Sequence, residues 1–333
     1  MSFFAPLAGP LWKQLEGYGI DPAGVFKEAG VDPECIYDSN ARIPAAAFET
    51  LFDLAINASG DPFFGLREQQ YFRPAHLGAL GFAWLASTSL HTAFERMSRY
   101  TKFFSGILTV GLHENESNLV VCFQSSSGTR HKDIREDSQL ALATKCCRVI
   151  AGDRFRAARI LFTQKEPADT SYHYELFRCP LEFEAPETAM WIPLDQANMR
   201  LTGSNSELAN LNEHIVVKYL AHAAKDDVVN RVKANIIDSL SSGTVTETLV
   251  AGRLHMTPRN LHRKLAREGT SFKHLLNEVR QELAHQYIHD RTMTLTEISF
   301  MLGFSEVSSF SRAYKNWTGK PPSAVRQAMT GEA

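Results

Sequence analysis

Hydrophobic positions recur at helical spacing through most of the first hundred residues and change period near residue 107. Leu7, Leu11, Leu15 and Tyr18 share one side of an opening helix, which Gly19 and Asp21-Pro22 stop. Helical periods return over residues 45–58 and 88–104. Residues 107–113 and 118–124 then read as two strands joined by Glu114-Asn115-Glu116-Ser117, a hairpin. A helix over 133–151 follows, then a strand over 159–163, a short helix over 172–177 and strands over 181–184 and 189–193. Helices before and among such strands predict an α+β domain, with helices packed on a mostly antiparallel sheet. Over residues 207–224 a stripe of Leu208, Leu211, Ile215 and Tyr219, widened by Val216 and Leu220, predicts a further helix. A dimer seam and a domain-docking face are both open for that stripe.

Beyond it the pattern is all helical, and it repeats. Thr294 and Glu297 have the spacing of a capping box, so a helix begins at Leu295 with Ile298, Met301 and Leu302 on its inner side. Gly303 supplies a left-handed turn, Phe304 plugs it, and Ser305 is placed to cap the next helix. That helix turns Phe310 and Tyr314 inward and leaves Ser308, Ser309, Arg312 and Lys315 outward, until Gly319 and Pro321-Pro322 end it. About fifty positions upstream, Thr244 and Glu247 repeat the box, and Val250 and Leu254 face inward. There His255-Met256 replaces the Gly-Phe turn, and Thr257 caps a helix with Pro258 at its first position. Leu261 and Leu265 form its inner stripe, leaving Arg259, Asn260, His262, Arg263 and Lys264 for solvent or a ligand, and Gly269 closes it. Between the copies Phe272, Leu275, Leu276, Val279, Leu283, Tyr287 and Ile288 predict a single helix of about five turns. The fold expected here is an all-α domain with two helix-turn-helix motifs joined by a linker helix. Two reading helices held by one rod suit neighbouring major grooves, about 34 Å apart along a duplex. Arginine pairs bidentately with guanine and asparagine with adenine, which gives Arg263, Arg312 and Asn260 base-reading chemistry. Lys264 and Lys315 suit phosphates, which position a protein without reading sequence.

Residues 227–329 resemble the DNA-binding domain of the AraC/XylS family of bacterial transcription regulators. The resemblance rests on Leu302-Gly303-Phe304-Ser305, Ser308-Ser309-Phe310-Ser311-Arg312-Ala313-Tyr314-Lys315, Gly319-Lys320-Pro321-Pro322 and Arg326. Ala324-Val325-Arg326 departs from it, since an aromatic residue commonly precedes that arginine. The earlier residues look like the arabinose-binding-type domain of a subgroup of that family, on Gly78 with Gly81, Ser87-Thr88-Ser89-Leu90 and a strand pair within 180–193. A cupin barrel does not fit, because the first hundred residues carry helical rather than alternating patterns. The resemblance implies a regulatory domain over 1–204, an interdomain or dimerisation helix over 205–226 and a DNA-binding domain over 227–333. It further implies a transcription activator acting on promoter DNA with RNA polymerase, controlled by a small-molecule effector, as a homodimer if the stripe at 207–224 is a seam. It implies no cofactor.

Charge agrees with that division. The whole chain carries −2, but residues 231–333 hold 14 Lys and Arg against 9 Asp and Glu, a surplus on the side of the repeated helices. Cationic side chains aimed at phosphates supply most non-specific DNA affinity. Cysteines 35, 122, 146, 147 and 179 show no metal-binding or disulfide spacing, which suits a reducing cytoplasm. The first residues lack a signal peptide's basic start, and the most apolar stretch, 76–87, is too short to span a membrane. Of 21 phenylalanines 17 precede residue 231, so a pocket among them would suit an apolar or amphipathic effector better than a sugar. Arg67, Tyr71, Arg73 and His76 are candidates to orient such a ligand's carboxylate; the alternative is a structural ion pair or solvated surface. Two other functions compete: an effector-independent DNA-binding protein, and a DNA-repair enzyme using a cysteine such as Cys179. The second requires an activated thiolate beside a base. No nucleotide loop or nucleophile elbow stands out, and the chain reads as a regulator rather than an enzyme.

Overall fold

The computed structural model describes residues 2–126, 128–223, 228–240, 245–289 and 293–330, and the chain divides into two units, Met1–Glu213 and His214–Ala333. The first unit begins with β1 (Ser2–Phe4), then α1 (Gly9–Gly17) and α2 (Pro22–Glu28). Strand β2 (Arg42–Pro44) pairs antiparallel with β1, a small sheet that sequence alternation cannot reveal because each strand has only 3 residues. Helices α3 (Ala45–Ser59), α4 (Phe64–Tyr71), α5 (Ala79–Leu85) and α6 (Leu90–Phe104) follow. Ser89 caps α6 by accepting from the Thr92 amide, as its hydroxyl and position require.

The main sheet is built from β3 (Leu108–Glu114), β4 (Asn118–Ser125), β5 (Arg159–Leu161), β6 (Leu181–Glu182) and β7 (Thr188–Pro193). Three helices interrupt or follow these strands: α7 (Lys132–Ala151), α8 (Ser171–Phe177) and α9 (Leu194–Asn198). The spatial order is β3-β4-β7-β5-β6, antiparallel except between β5 and β6. The strand pair expected within 180–193 is therefore corrected: β6 and β7 are not neighbours, because β5 lies between them and uses both its edges. Ile160 donates its amide to Pro180 on one side and pairs with Met190 on the other.

Val110, Leu119, Val121, Ile160, Met190 and Ile192 line the buried face of this sheet, against which α6 and α7 pack. Aromatic rings fill the space beyond. Trp84 meets Phe94 edge to face at 4.9 Å and donates its indole N–H to the Cys146 carbonyl at 3.0 Å, which satisfies the polar end of a buried ring. Gly81 allows α5 to approach the Pro74 carbonyl; a Cβ there would sit 1.7 Å from that oxygen.

The boundary between the units falls within α10 (Ser206–Ala223). The expected stripe on this helix divides. Among its described side chains Ala209, Glu213 and Val216 are buried, whereas Leu208 and Leu211 are 50% and 55% exposed. A glutamate takes an inward place because Arg96, Arg99 and Tyr100 all donate to it, at 3.0, 2.5 and 2.8 Å. The Leu220 side chain lies outside the described residues.

The second unit continues with α11 (Val228–Leu240), α12 (Glu247–Arg253), α13 (Pro258–Arg267), α14 (Phe272–His289), α15 (Leu295–Met301), α16 (Val307–Thr318) and α17 (Pro322–Thr330). Its core takes Val232, Ile236 and Leu240 from α11 and Leu275, Val279, Leu283 and Ile288 from α14, with Leu261, Leu265, Phe310 and Tyr314 from the outer helices. Helix α14 runs 18 residues, about 27 Å at the α-helical rise. The capping box at Thr294 and Glu297 is formed in both directions, at 2.6 and 3.1 Å. Upstream, Thr244 lies outside the described residues, and Thr246 caps α12 by accepting from the Leu249 amide. Ser305 is likewise not the cap of α16. That place belongs to Glu306, whose backbone is extended, with the Ser308 hydroxyl donating to its carboxylate at 3.0 Å.

Candidate DNA interface and effector cavity

Two helix pairs in the second unit follow one plan. In α12 and α13 the turn passes through His255 at a φ of 54°, and in α15 and α16 through Gly303 at 68°. Glycine adopts this left-handed backbone freely, while a residue with a Cβ is strained there. Thr257 then caps α13 through the Asn260 amide at 3.2 Å, with Pro258 in the first turn.

Burial sorts the faces as amphipathic helices require. On α13, Leu261 and Leu265 are fully buried, Arg259, His262, Arg263 and Lys264 are exposed, and Asn260 is half-buried. On α16, Phe310 and Tyr314 are buried, Ser308, Arg312 and Lys315 are exposed, and Ser309 is half-buried. The nine expected DNA-contacting residues thus lie outward or at the rim of these two helices. Each helix also ties its arginine to a polar group three residues earlier. Arg263 donates to Asn260 Oδ1 at 3.1 Å, and Arg312 to Ser309 Oγ at 3.5 Å. Sequence reasoning missed Arg267, exposed on α13 and spaced four residues beyond Arg263 in a row with Arg259.

It also missed what holds the second turn. Arg280, inside the apolar stripe of α14, donates to the carbonyls of Leu302 and Gly303, both at 2.9 Å, and its guanidinium lies 4.4 Å from the Phe304 ring centre. Burial pushes its pKa down. A charged residue amid Leu276, Val279 and Leu283 was the available signal. Arg326 serves similarly at the far end, donating to the Ile288 carbonyl at 3.3 Å, so this arginine of the family pattern is structural.

In the first unit a cavity of about 170 Å³ is walled by Phe72, Trp84, Phe94, Phe104 and other apolar side chains. Its polar lining includes Glu68, Arg135, Ser138 and Gln139. The Ser138 hydroxyl donates to Glu68, whose pKa burial pushes up. Arg135 pairs with Glu49 at 2.9 Å, and its guanidinium lies 4.1 Å from the Phe52 ring centre. Burial lowers its pKa despite that carboxylate. Gln139 donates to Ser125 Oγ at 3.0 Å.

None of the four residues expected to orient an effector lines this cavity. Arg67 pairs with Asp61 at 2.7 Å and lies over the Tyr172 ring. Tyr71 packs against Gly17, where a Cβ would come within 2.1 Å of its hydroxyl. Arg73 donates to the Gln70 and Phe72 carbonyls, and His76 Nδ1 accepts from the Arg73 amide at 3.0 Å. Burial pushes the His76 pKa down. The cavity's polar residues stand on α4 and α7, where a sequence shows only single polar positions among helical neighbours.

The thiols run opposite to nucleophile chemistry. Burial raises Cys146 to about 12 and Cys179 to about 11, away from the thiolate. His173 is held by Asp137 at 3.0 Å, with both groups buried. Among the described residues no helix is long and apolar enough to cross a membrane.

Comparison with known proteins agrees with this arrangement. Residues 19–201 match the family model described as the arabinose-binding domain of AraC transcription regulator, N-terminal, and residues 250–328 match a helix-turn-helix domain. The ornithine utilization regulator of Pseudomonas aeruginosa is 28% identical over 93% of this chain and 92% of its own length. The HTH-type transcriptional regulator VirS of Mycobacterium tuberculosis is 24% identical over 92% of this chain and 91% of its own. A crystal structure of the transcriptional regulator CdpR from Pseudomonas aeruginosa aligns over 95% of this chain and 97% of that one, at 20% identity and a TM-score of 0.48.

Proposed function

Since the chain belongs to the AraC family of DNA-binding transcription regulators, with an arabinose-binding-type N-terminal domain and a helix-turn-helix C-terminal domain, we propose that it activates promoters under effector control. The reading divides the chain into a sensing domain over 1–204, a connecting helix over 205–226 and a DNA-binding domain over 227–333. In it α12–α13 and α15–α16 are two helix-turn-helix motifs joined by α14, with α13 and α16 entering successive major grooves. The observation that carries it is the pair of matched polar faces, each with a tethered arginine over a buried apolar stripe.

Arg263 and Arg312 contact guanine edges, Asn260 an adenine, and Ser308 and Ser309 hydrogen-bond bases or backbone. Arg259, His262, Lys264 and Lys315 meet phosphates. Arg263→Ala and Arg312→Ala are each expected to weaken promoter binding by about 1–3 kcal/mol, with little change on non-specific DNA. A gel-shift series measures this; unchanged promoter affinity in both variants refutes the assignment.

The effector occupies the cavity near Trp84 and Arg135 rather than the neighbourhood of Arg67, Tyr71, Arg73 and His76. Its apolar wall favours an amphipathic molecule over a sugar. A ligand can shift the regulator only by its difference in affinity between states, so effector binding must alter domain packing or subunit geometry. RNA polymerase is the partner on DNA. Exposed Leu208 and Leu211 favour a homodimer through α10. Thermal-shift screening against amphipathic metabolites tests effector control: a hit abolished by enlarging the cavity wall, as in Ala143→Phe, supports it. Promoter activation that never responds to any such ligand favours an effector-independent regulator.

A further inference from the structure

The face of the main sheet turned away from α6 and α7 carries a second cluster of chemistry. Antiparallel register sets Gly111 opposite Cys122 and His113 opposite Val120. Glycine places no side chain beside the thiol, so the space is filled by His113, next on the same face of β3, and by Glu187, just before β7. The Cys122 sulfur lies 3.7 Å from His113 Nδ1 and 3.3 Å from Glu187 Oε2, and the three donor atoms all fall within 4.8 Å of one another.

Tetrahedral zinc, with Zn–S near ~2.3 Å and Zn–N or Zn–O near ~2.0 Å, separates sulfur from its neighbouring donors by about 3.5 Å. The observed separations stand close to that. The thiol has a single proton, which it donates to Glu187, and the His113 ring nitrogen stands 3.7 Å from the same sulfur, so an imidazole and a carboxylate converge on one thiol. The donor set is also selective. A thiolate disfavours magnesium and calcium, which take oxygen ligands, and imidazole with thiolate suits zinc. One thiolate and one carboxylate balance a dication. His113 is exposed while Cys122 and Glu187 are half-buried, so the fourth position faces water.

We propose that His113, Cys122 and Glu187 form a three-residue zinc site with one solvent-facing coordination position. Binding forms Zn–S, Zn–N and Zn–O bonds, and the Cys122 thiol proton leaves to solvent. The ion fastens the β3–β4 hairpin to the segment entering β7. This site lies outside the 170 Å³ cavity, whose lining includes none of the three residues, and it does not depend on the regulatory reading.

The test is a titration of the full-length, metal-free protein with cobalt(II), followed through its visible bands and its near-ultraviolet thiolate charge-transfer band. Stoichiometric tetrahedral bands that zinc displaces are expected. Cys122→Ser should remove the charge-transfer band, and His113→Ala and Glu187→Gln should each weaken binding by at least about tenfold. Cys179→Ser should leave the titration unchanged. Circular dichroism checks that each variant is folded; should Cys122→Ser fail to fold, His113→Ala and Glu187→Gln decide the matter. Absent bands in the folded parent protein, or bands that survive all three ligand substitutions, overturn the site.

Discussion

The two units place their charges in opposite ways. In Met1–Glu213 the charged side chains Arg135, Glu136, Asp137 and Glu213 are buried and partnered, and Glu68 is half-buried against Ser138. Among the described residues of His214–Ala333 the buried side chains are almost all apolar, arginines such as Arg280 and Arg326 are half-buried, and the basic groups of α13 and α16 face outward. A buried ion pair need not add net stability, but removing one partner leaves an uncompensated charge and is costly. Exposed cations do little for stability and stay available for phosphate. One unit therefore uses charge to fix internal positions, and the other turns it outward to solvent.

That contrast can be broken in four places. The largest effect is expected at Glu213, where Glu213→Ala removes the buried carboxylate that Arg96, Arg99 and Tyr100 share and should destabilise the first unit by about 3–5 kcal/mol in urea unfolding. A loss below 1 kcal/mol would mean the cluster is solvated. Next comes Arg280→Ala, which removes two charge-assisted bonds to the turn carbonyls and a ring contact. A loss of about 2–3 kcal/mol is expected in the second unit, with promoter affinity falling at least in parallel. His255→Gly should act the other way, relieving left-handed strain and stabilising by roughly 1 kcal/mol in thermal melts, less the entropy glycine brings to the unfolded chain.

The smallest effect is one of slope. Burial raises the pKa of Glu68 in the fold, so the folded state holds that proton more tightly than the unfolded chain does. Its contribution is complete below the ordinary carboxylate range and is lost as pH rises through the raised folded value. Glu68→Gln should flatten that decline in stability between acid and neutral pH, measured by unfolding at several pH values; an unchanged slope would mean the carboxyl is ionised in the fold.

Much of this was legible in the order of residues. The capping box at Thr294, the glycine stop at Gly319 and the inner stripe of α14 are local signals, and each formed where expected. So did the hairpin at Asn115 and the long helix α7. Cap positions slipped, to Thr246 and Glu306, because polar residues one or two positions apart offer near-equivalent starts and packing chooses between them. The neighbours of β5 could not be read, since strand order depends on contacts distant in sequence. The cavity was hidden for the same reason: Glu68 and Ser138 meet only when α4 and α7 cross. Arg280 stands out in sequence as a charge within an apolar stripe, but the carbonyls it serves lie more than twenty residues away and show only in the folded turn.

Asn260 and Arg263 enter any encounter with a duplex already joined to each other. The guanidinium has given up part of its rotamer freedom beforehand, a component that otherwise costs about 0.5–1.5 kcal/mol for each long side chain immobilised on association. Their individual effects on promoter affinity should therefore fail to add in a double-mutant cycle. Once Asn260 is replaced, Arg263 swings without its tether, and removing it next subtracts less than removing it first.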